Sequence, residues 1–229
     1  MYQIQPVLFD WKEWDELDSS NQLVEVLKAL DAEELLEILA SERKGKRDDY
    51  PIRGMWYGLV SGIVYQIPTI AELVREFKRN SDLRRLCGFE SKEKSPSEDA
   101  YGRFLNKLVR HQKLVDGIFE RANKELSQIL PGFGKNVSGD STDIPTYARG
   151  KADPKESADP QAGWGVQEKW KKKSDGSIEK VTKKWYGYTL QLLSDADYEI
   201  PVAYKLTKPD RRDNEECVEL VEKLKKNSS

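Results

Sequence analysis

The feature that most constrains this fold is a change of hydrophobic period at Gly134. Before it, apolar residues recur at helical spacing, as in Leu23, Val26, Leu27 and Leu30, then Leu35, Ile38 and Leu39. After it they alternate, as in Trp164, Val166 and Trp170, then Tyr188, Leu190 and Leu192, then Ile200, Val202, Tyr204 and Leu206. A spacing of three or four makes one face of a helix, and a spacing of two makes one face of a strand. The expectation is an α+β chain with a helical domain over 1–134 and a strand-rich domain over 135–229.

Capping signals subdivide the first part. Ser19 with Gln22 and Asp31 with Glu34 each have capping-box spacing before an apolar run. Pro51 to about Tyr65 reads as a buried helix. Thr69 with Glu72 starts the next, Ser81 the one after, and Gly88 ends it in a left-handed conformation. Ser95, Pro96 and Glu98 read as cap, first helical residue and box partner. A last helix runs from about Lys113 to Ile129, stopped by the sequence Pro131-Gly132-Phe133-Gly134. In the second part, a strand ending at Pro145 precedes a loop over Arg149 to Gly163. Asp175-Gly176 is a hairpin signal, the run from Asp195 to Glu199 is a turn, and Asp213 with Glu216 opens a closing helix along Cys217, Leu220, Val221 and Leu224.

Composition excludes several classes. A formal net charge of −2 denies the whole chain the character of a general polyanion binder, so nucleic-acid contact must come from local basic patches. Cys87 and Cys217 form no motif and are expected to be reduced thiols. His111, the single histidine, has no partners at ligand spacing. Phe9 and the residues before it lack the pattern of a signal peptide. Met55 to Ile70, the longest apolar candidate, is broken by Gly58, Gly62, Gln66 and Pro68, so no membrane span is expected and the reading is cytoplasmic. No Gly-rich phosphate loop or nucleophile elbow is present.

The segment Gly139-Asp140-Ser141-Thr142-Asp143-Ile144 resembles the first catalytic strand of DDE-type insertion-sequence transposases. Residues 185–193, with Tyr186-Gly187-Tyr188, resemble that family's second strand, and 200–207 its third. Ala158-Asp159-Pro160 resembles an element between the first two strands, and Asp210 to Asn214 the polar turn before the following helix. Tyr50 to Phe119, with Arg84-Arg85 and Arg103-Phe104, resembles the helical domain ahead of the catalytic core. The resemblance implies a helical N-terminal domain followed by an incomplete ribonuclease-H-like α/β core. It makes Asp140 the first catalytic acid and a metal ligand.

The family's chemistry uses two Mg²⁺ ions about 3.5–4 Å apart, which hold the attacking and leaving oxygens of an in-line displacement. Such hard ions need several carboxylate oxygens. The family's second aspartate and its glutamate are expected on segments beyond the helix opened by Asp213, and the 229 residues do not reach them. Asp195 and Asp197, in a turn toward the start of the first strand, are discounted as replacements. Asp153 and Asp159, in a loop able to fold over the site, stay open. Asp143, three residues from Asp140, falls on the other face of a strand and reads as a supporting or surface residue.

The implied partner is double-stranded DNA at element ends, with a second copy or a full-length transposase as protein partner. Arg149 and Lys151, just after the catalytic strand, are candidates for a phosphate near the site. Lys169, Lys171, Lys172 and Lys173, interleaved with Trp164 and Trp170, either grip phosphates and stack on bases or form a solvated hairpin. Arg103, Lys107 and Arg110 either face DNA from a helix-turn-helix-like reader spanning Thr69 to Arg110 or lie on the solvated face of a packing domain. Two functions follow: a strand-transfer protein of transposition that is catalytically incomplete as it stands, or a non-catalytic DNA-binding or dimerising regulator derived from one.

Overall fold

The computed structural model describes residues 19–43, 50–92, 94–151, 153–172, 176–209, 218–222 and 224. The chain divides into two compact units, 1–130 and 131–229. Helices come first and strands second, so the molecule is α+β.

The first unit holds seven described helices: α1 Ser19–Ala29, α2 Glu33–Ser41, α3 Ile52–Val64, α4 Ile70–Arg79, α5 Ser81–Leu86, α6 Glu98–Arg110 and α7 Gln112–Ile129. Their apolar stripes meet in one core that includes Leu23, Leu39, Leu73, Phe77 and Tyr101. Phe77 of α4 stacks on Tyr101 of α6 with ring centroids 6.4 Å apart, and meets Phe89 edge-on at 5.2 Å. α3 supplies the surface that lets these rings in. Gly54, Gly58 and Gly62 recur every fourth residue and so form one stripe along it. A Cβ on Gly54 would sit 2.5 Å from the Cys87 carbonyl oxygen, and one on Gly58 would overlap the Tyr101 hydroxyl. Cys87 is free and buried, and burial pushes its thiol up to about 12. Burial likewise raises Tyr101 well above the ordinary phenol range.

Several caps differ from expectation by one or two residues. Thr69 caps α4 as expected, accepting from the Glu72 amide at 3.1 Å, and Gly88 adopts φ +76°. The cap of α5 is Asn80, which accepts from the amides of Asp82 and Leu83, and not Ser81. The cap of α6 is Ser97 and not Ser95, because Ser95 is buried and donates to the Ser91 carbonyl. α2 starts after Ala32 without a side-chain cap. Asp31 instead receives Arg121, its backbone carbonyl at 2.6 Å and its carboxylate at 3.4 Å. α1 begins at Ser19 itself. Asp175 of the hairpin signal, and Asp213, Glu216 and Cys217 of the last helix, lie outside the described residues.

The second unit is an antiparallel sheet of β1 Val137–Pro145, β2 Gly163–Lys172, β3 Ile178–Asp195 and β4 Pro201–Thr207. β3 is its spine and is longer than the sequence pattern suggested. Its second half, Gly187 to Asp195, pairs with β1, and Thr189 to Ser194 pairs with β4. Its first half, Ile178 to Tyr186, pairs only with β2 among the described strands. Gly187 faces both Pro145 and Gly163, so β1 and β2 flank β3 on opposite sides. The outcome is a three-stranded sheet from which a two-stranded ribbon projects. Residues 218–222 are helical, and Leu220 packs with Leu193 and Val202 in a small core. Glu219 reaches Lys205 at 2.5 Å.

The turn between β3 and β4 is organised by Asp195, which is 1% exposed. Its carboxylate accepts from the amides of Gly134 at 2.6 Å, Asp197 at 2.9 Å and Tyr198 at 2.9 Å. This acid is a structural clasp of the turn.

Candidate functional site

Side chains alternate across a strand, and cross-strand partners share a face. Asp140 pairs with Leu192, which pairs with Tyr204 on the other side. Asp143 pairs with Thr189. The two aspartates therefore stand on opposite faces of the sheet, as the strand period requires.

The Asp140 face carries Asp140, Thr142 and Ile144 on β1, Tyr188, Leu190 and Leu192 on β3, and Tyr204 and Leu206 on β4. Asp140 is exposed and accepts the local hydrogen bond of the Ser141 amide at 2.8 Å. Its sheet neighbours are apolar, and Ile144, Tyr204 and Leu206 are themselves exposed. The helical residues 218–222 lie on the other face, with Leu193 and Lys205.

The loop after β1 does fold onto the Asp140 face, but at the far end. Tyr186 donates to the Asp159 carbonyl and Tyr188 to the Asp159 carboxylate, both at 2.8 Å. Burial and this carboxylate push the Tyr188 phenol up to about 12. The Trp164 ring lies 5.4 Å from that of Tyr186, and its indole N–H donates to the Lys151 carbonyl. Tyr188 stands four residues along β3 from Leu192, or about 13 Å. That places the held Asp159 away from Asp140. Asp153 is engaged in its own turn, accepting from the Lys155 amide.

The donor set can be tested against a pair of Mg²⁺ ions. No group of three or more His, Cys, Asp or Glu able to hold a metal occurs among the described residues. One exposed carboxylate flanked by Leu192 and Thr142 supplies too few oxygens for two hard ions. The described residues alone do not fit that pair. His111 is also spoken for, with its Nε2 2.8 Å from Glu42 Oε1.

The opposite face holds a polar cleft of about 340 Å³, bordered by Ser141, Asp143, Gln167, Lys169, Lys183 and Thr189 among others. Lys183 pairs with Asp143 at 2.7 Å and lies 5.7 Å over the Trp185 ring. Sequence reasoning did not find this pair: forty residues separate its members, the register sets Asp143 opposite Thr189, and only a bend of the ribbon toward this face brings Lys183, six residues along β3, within reach.

The candidate cations fall in separate places. On α6, Arg103 and Lys107 border a small pocket with Arg43, whose guanidinium donates to the Tyr50 carbonyl. Arg110 is exposed at the helix end. Lys151 lies 3.8 Å from Glu156, and Arg149 is exposed. The ribbon splits the basic run: Lys169 and Lys171 take the Asp143 face, and Lys172 takes the Asp140 face. Lys173 lies outside the described residues. Lys180 and Lys184, which the sequence reading passed over as site residues, join Lys172.

Among the described residues, no helix is long and apolar enough to cross a membrane. Comparison with the curated proteins and with the solved structures gave no match. Residues 12–107 match the family model of a transposase domain (DUF772). The matched span covers α1 to α5 and most of α6. The match covers less than half of the chain, and it makes this span similar to a transposase domain.

Proposed function

We propose that the chain is a DNA-binding component of transposition, with a helical unit ahead of the opening strands of a ribonuclease-H-like strand-transfer core. The observation that carries this reading is an ordered pair: a transposase domain over residues 12–107, then an antiparallel sheet with Asp140 exposed in mid-strand. Asp140 is the metal-ligating candidate, and it needs carboxylates that the described residues do not bring to it. Double-stranded DNA is the substrate class, and Arg103, Lys107, Arg110, Arg149 and Lys151 are the candidate contacts outside the ribbon.

A second reading is favoured by the same donor set. A chain that binds element ends without cutting them competes with an intact transposase, or joins it in an unproductive complex. Both readings predict that the 229-residue chain binds duplex DNA but does not nick it in Mg²⁺ or Mn²⁺. Metal-dependent nicking of cognate ends, abolished by Asp140→Asn, would overturn that expectation. The readings separate when the chain is added to a reaction run by a full-length relative. Loss of strand transfer in proportion to added chain selects the regulator, and unchanged transfer selects the incomplete enzyme.

A further inference from the structure

The β2–β3 ribbon presents two unlike faces. On the side of β3 that also carries Leu192, each of three cross-strand pairs joins one apolar residue to one lysine: Val166 with Lys184, Trp170 with Lys180, and Ile178 with Lys172. Trp170 is 71% exposed and Ile178 69%. A bare Trp and Ile beside each other on a solvated arm cost free energy unless something covers them. Among the described residues, Lys180 pairs with Glu168 at 2.7 Å, and Lys172 and Lys184 have no ion pair.

We propose that this face of the ribbon is a duplex-DNA-binding surface, with Lys172, Lys180 and Lys184 on phosphates and Trp170 and Ile178 against base edges. The inference rests on the transposition reading and assigns it a specific surface. Charge decides the class of partner, since a polyanion neutralises the lysines while the apolar residues need a groove floor. A two-stranded ribbon fits the major groove, where thymine methyl groups offer apolar contact. Position adds a second argument. Residues 180, 184 and 192 lie on one side of the same strand, so the lysines share a side with Asp140, the partner of Leu192. Lys184 and Lys180 stand eight and twelve residues from Leu192 along the strand. A duplex gripped by the arm is thereby on the side of the sheet where Asp140 stands.

The test uses the full chain with a labelled duplex of about 30 base pairs, titrated between about 50 and 200 mM salt. Each lost phosphate contact lowers the salt slope by about one. Lys172→Ala/Lys180→Ala/Lys184→Ala should reduce affinity at least about tenfold and flatten the slope by about three. Lys169→Ala/Lys171→Ala, on the other face, should change the slope by less than about one. Trp170→Ala should weaken binding at unchanged slope, and Trp170→Phe should restore it. If the Lys169/Lys171 pair matters as much per lysine as the triple, or if Trp170→Ala leaves affinity untouched, the proposed surface is wrong while DNA binding stands. Tighter binding of a single strand of the same length overturns the choice of duplex. Failure of the unsubstituted chain to bind duplex at about 50 mM salt would instead sink the transposition reading itself.

Discussion

The two units solve the burial problem differently. Among the described residues, twenty buried side chains share the core of the helical unit, and three form the core of the sheet unit. Helices satisfy their own backbone groups, so a bundle closes once its stripes meet. Its charged surface is largely self-neutralised, with Lys28–Glu25, Arg79–Glu76 and Arg85–Asp82 pairing along single helices. A sheet needs neighbours at both edges and on both faces. Here β1 has no partner along its outer edge among the described residues, and Ile144, Tyr204 and Leu206 stay exposed. The lesson is that the helical unit is built to stand by itself, while the sheet unit is built to be covered.

The strongest way to break this contrast is Phe77→Ala. Removing a ring fully buried between Tyr101 and Phe89 should cost about 3–5 kcal/mol, read from urea unfolding by far-ultraviolet circular dichroism. A loss below about 1 kcal/mol would mean that the bundle core is loose. Asp195→Ala comes next. It strips the acceptor from three amides, and unmet donors cost about 1–3 kcal/mol each where they stay buried. A loss of about 3 kcal/mol in the sheet unit is expected, with Asp195→Asn milder because one carbonyl oxygen remains. An unchanged midpoint would show that the turn is held by something other than its clasp. The smallest expected effect is Thr69→Ala, about 1 kcal/mol for a lost cap, confined to the helical unit. If Thr69→Ala also shifts the unfolding of the sheet unit, the two units do not unfold as separate bodies.

Much of this was legible in the sequence, and the limits have physical causes. The period change gave the order of helices and strands, because side-chain direction alone sets the repeat. Cap identity slipped where polar residues crowd together. Asn80 and Ser81, or Ser95 and Ser97, have similar local preferences, and only packing decides between them: Ser95 is taken by the Ser91 carbonyl. Gly58 and Gly62 read as breaks in an apolar run, yet Gly58 makes room for Tyr101 and Phe77, and Gly62 lies against Leu73. That role depends on what lies opposite, which the local sequence does not state. At the candidate site, the opposite facing of Asp140 and Asp143 followed from strand alternation. The grouping of Lys172 with Lys180 and Lys184 did not, since it depends on the β2–β3 register, and the Asp143–Lys183 pair did not, since it depends on how the ribbon bends.

β3 runs without interruption from the tip of the ribbon to Asp195, eighteen residues or about 55–60 Å of extended chain. Its first half is braced on one side and its second half on both. Mechanically it is a lever whose arm is tied back to β1 by the Lys183–Asp143 pair and whose fulcrum is Gly187, where β1 and β2 both make contact. A load applied at Trp170 becomes a torque on the segment that backs Asp140, carried by a continuous ladder of hydrogen bonds with no loop to absorb it.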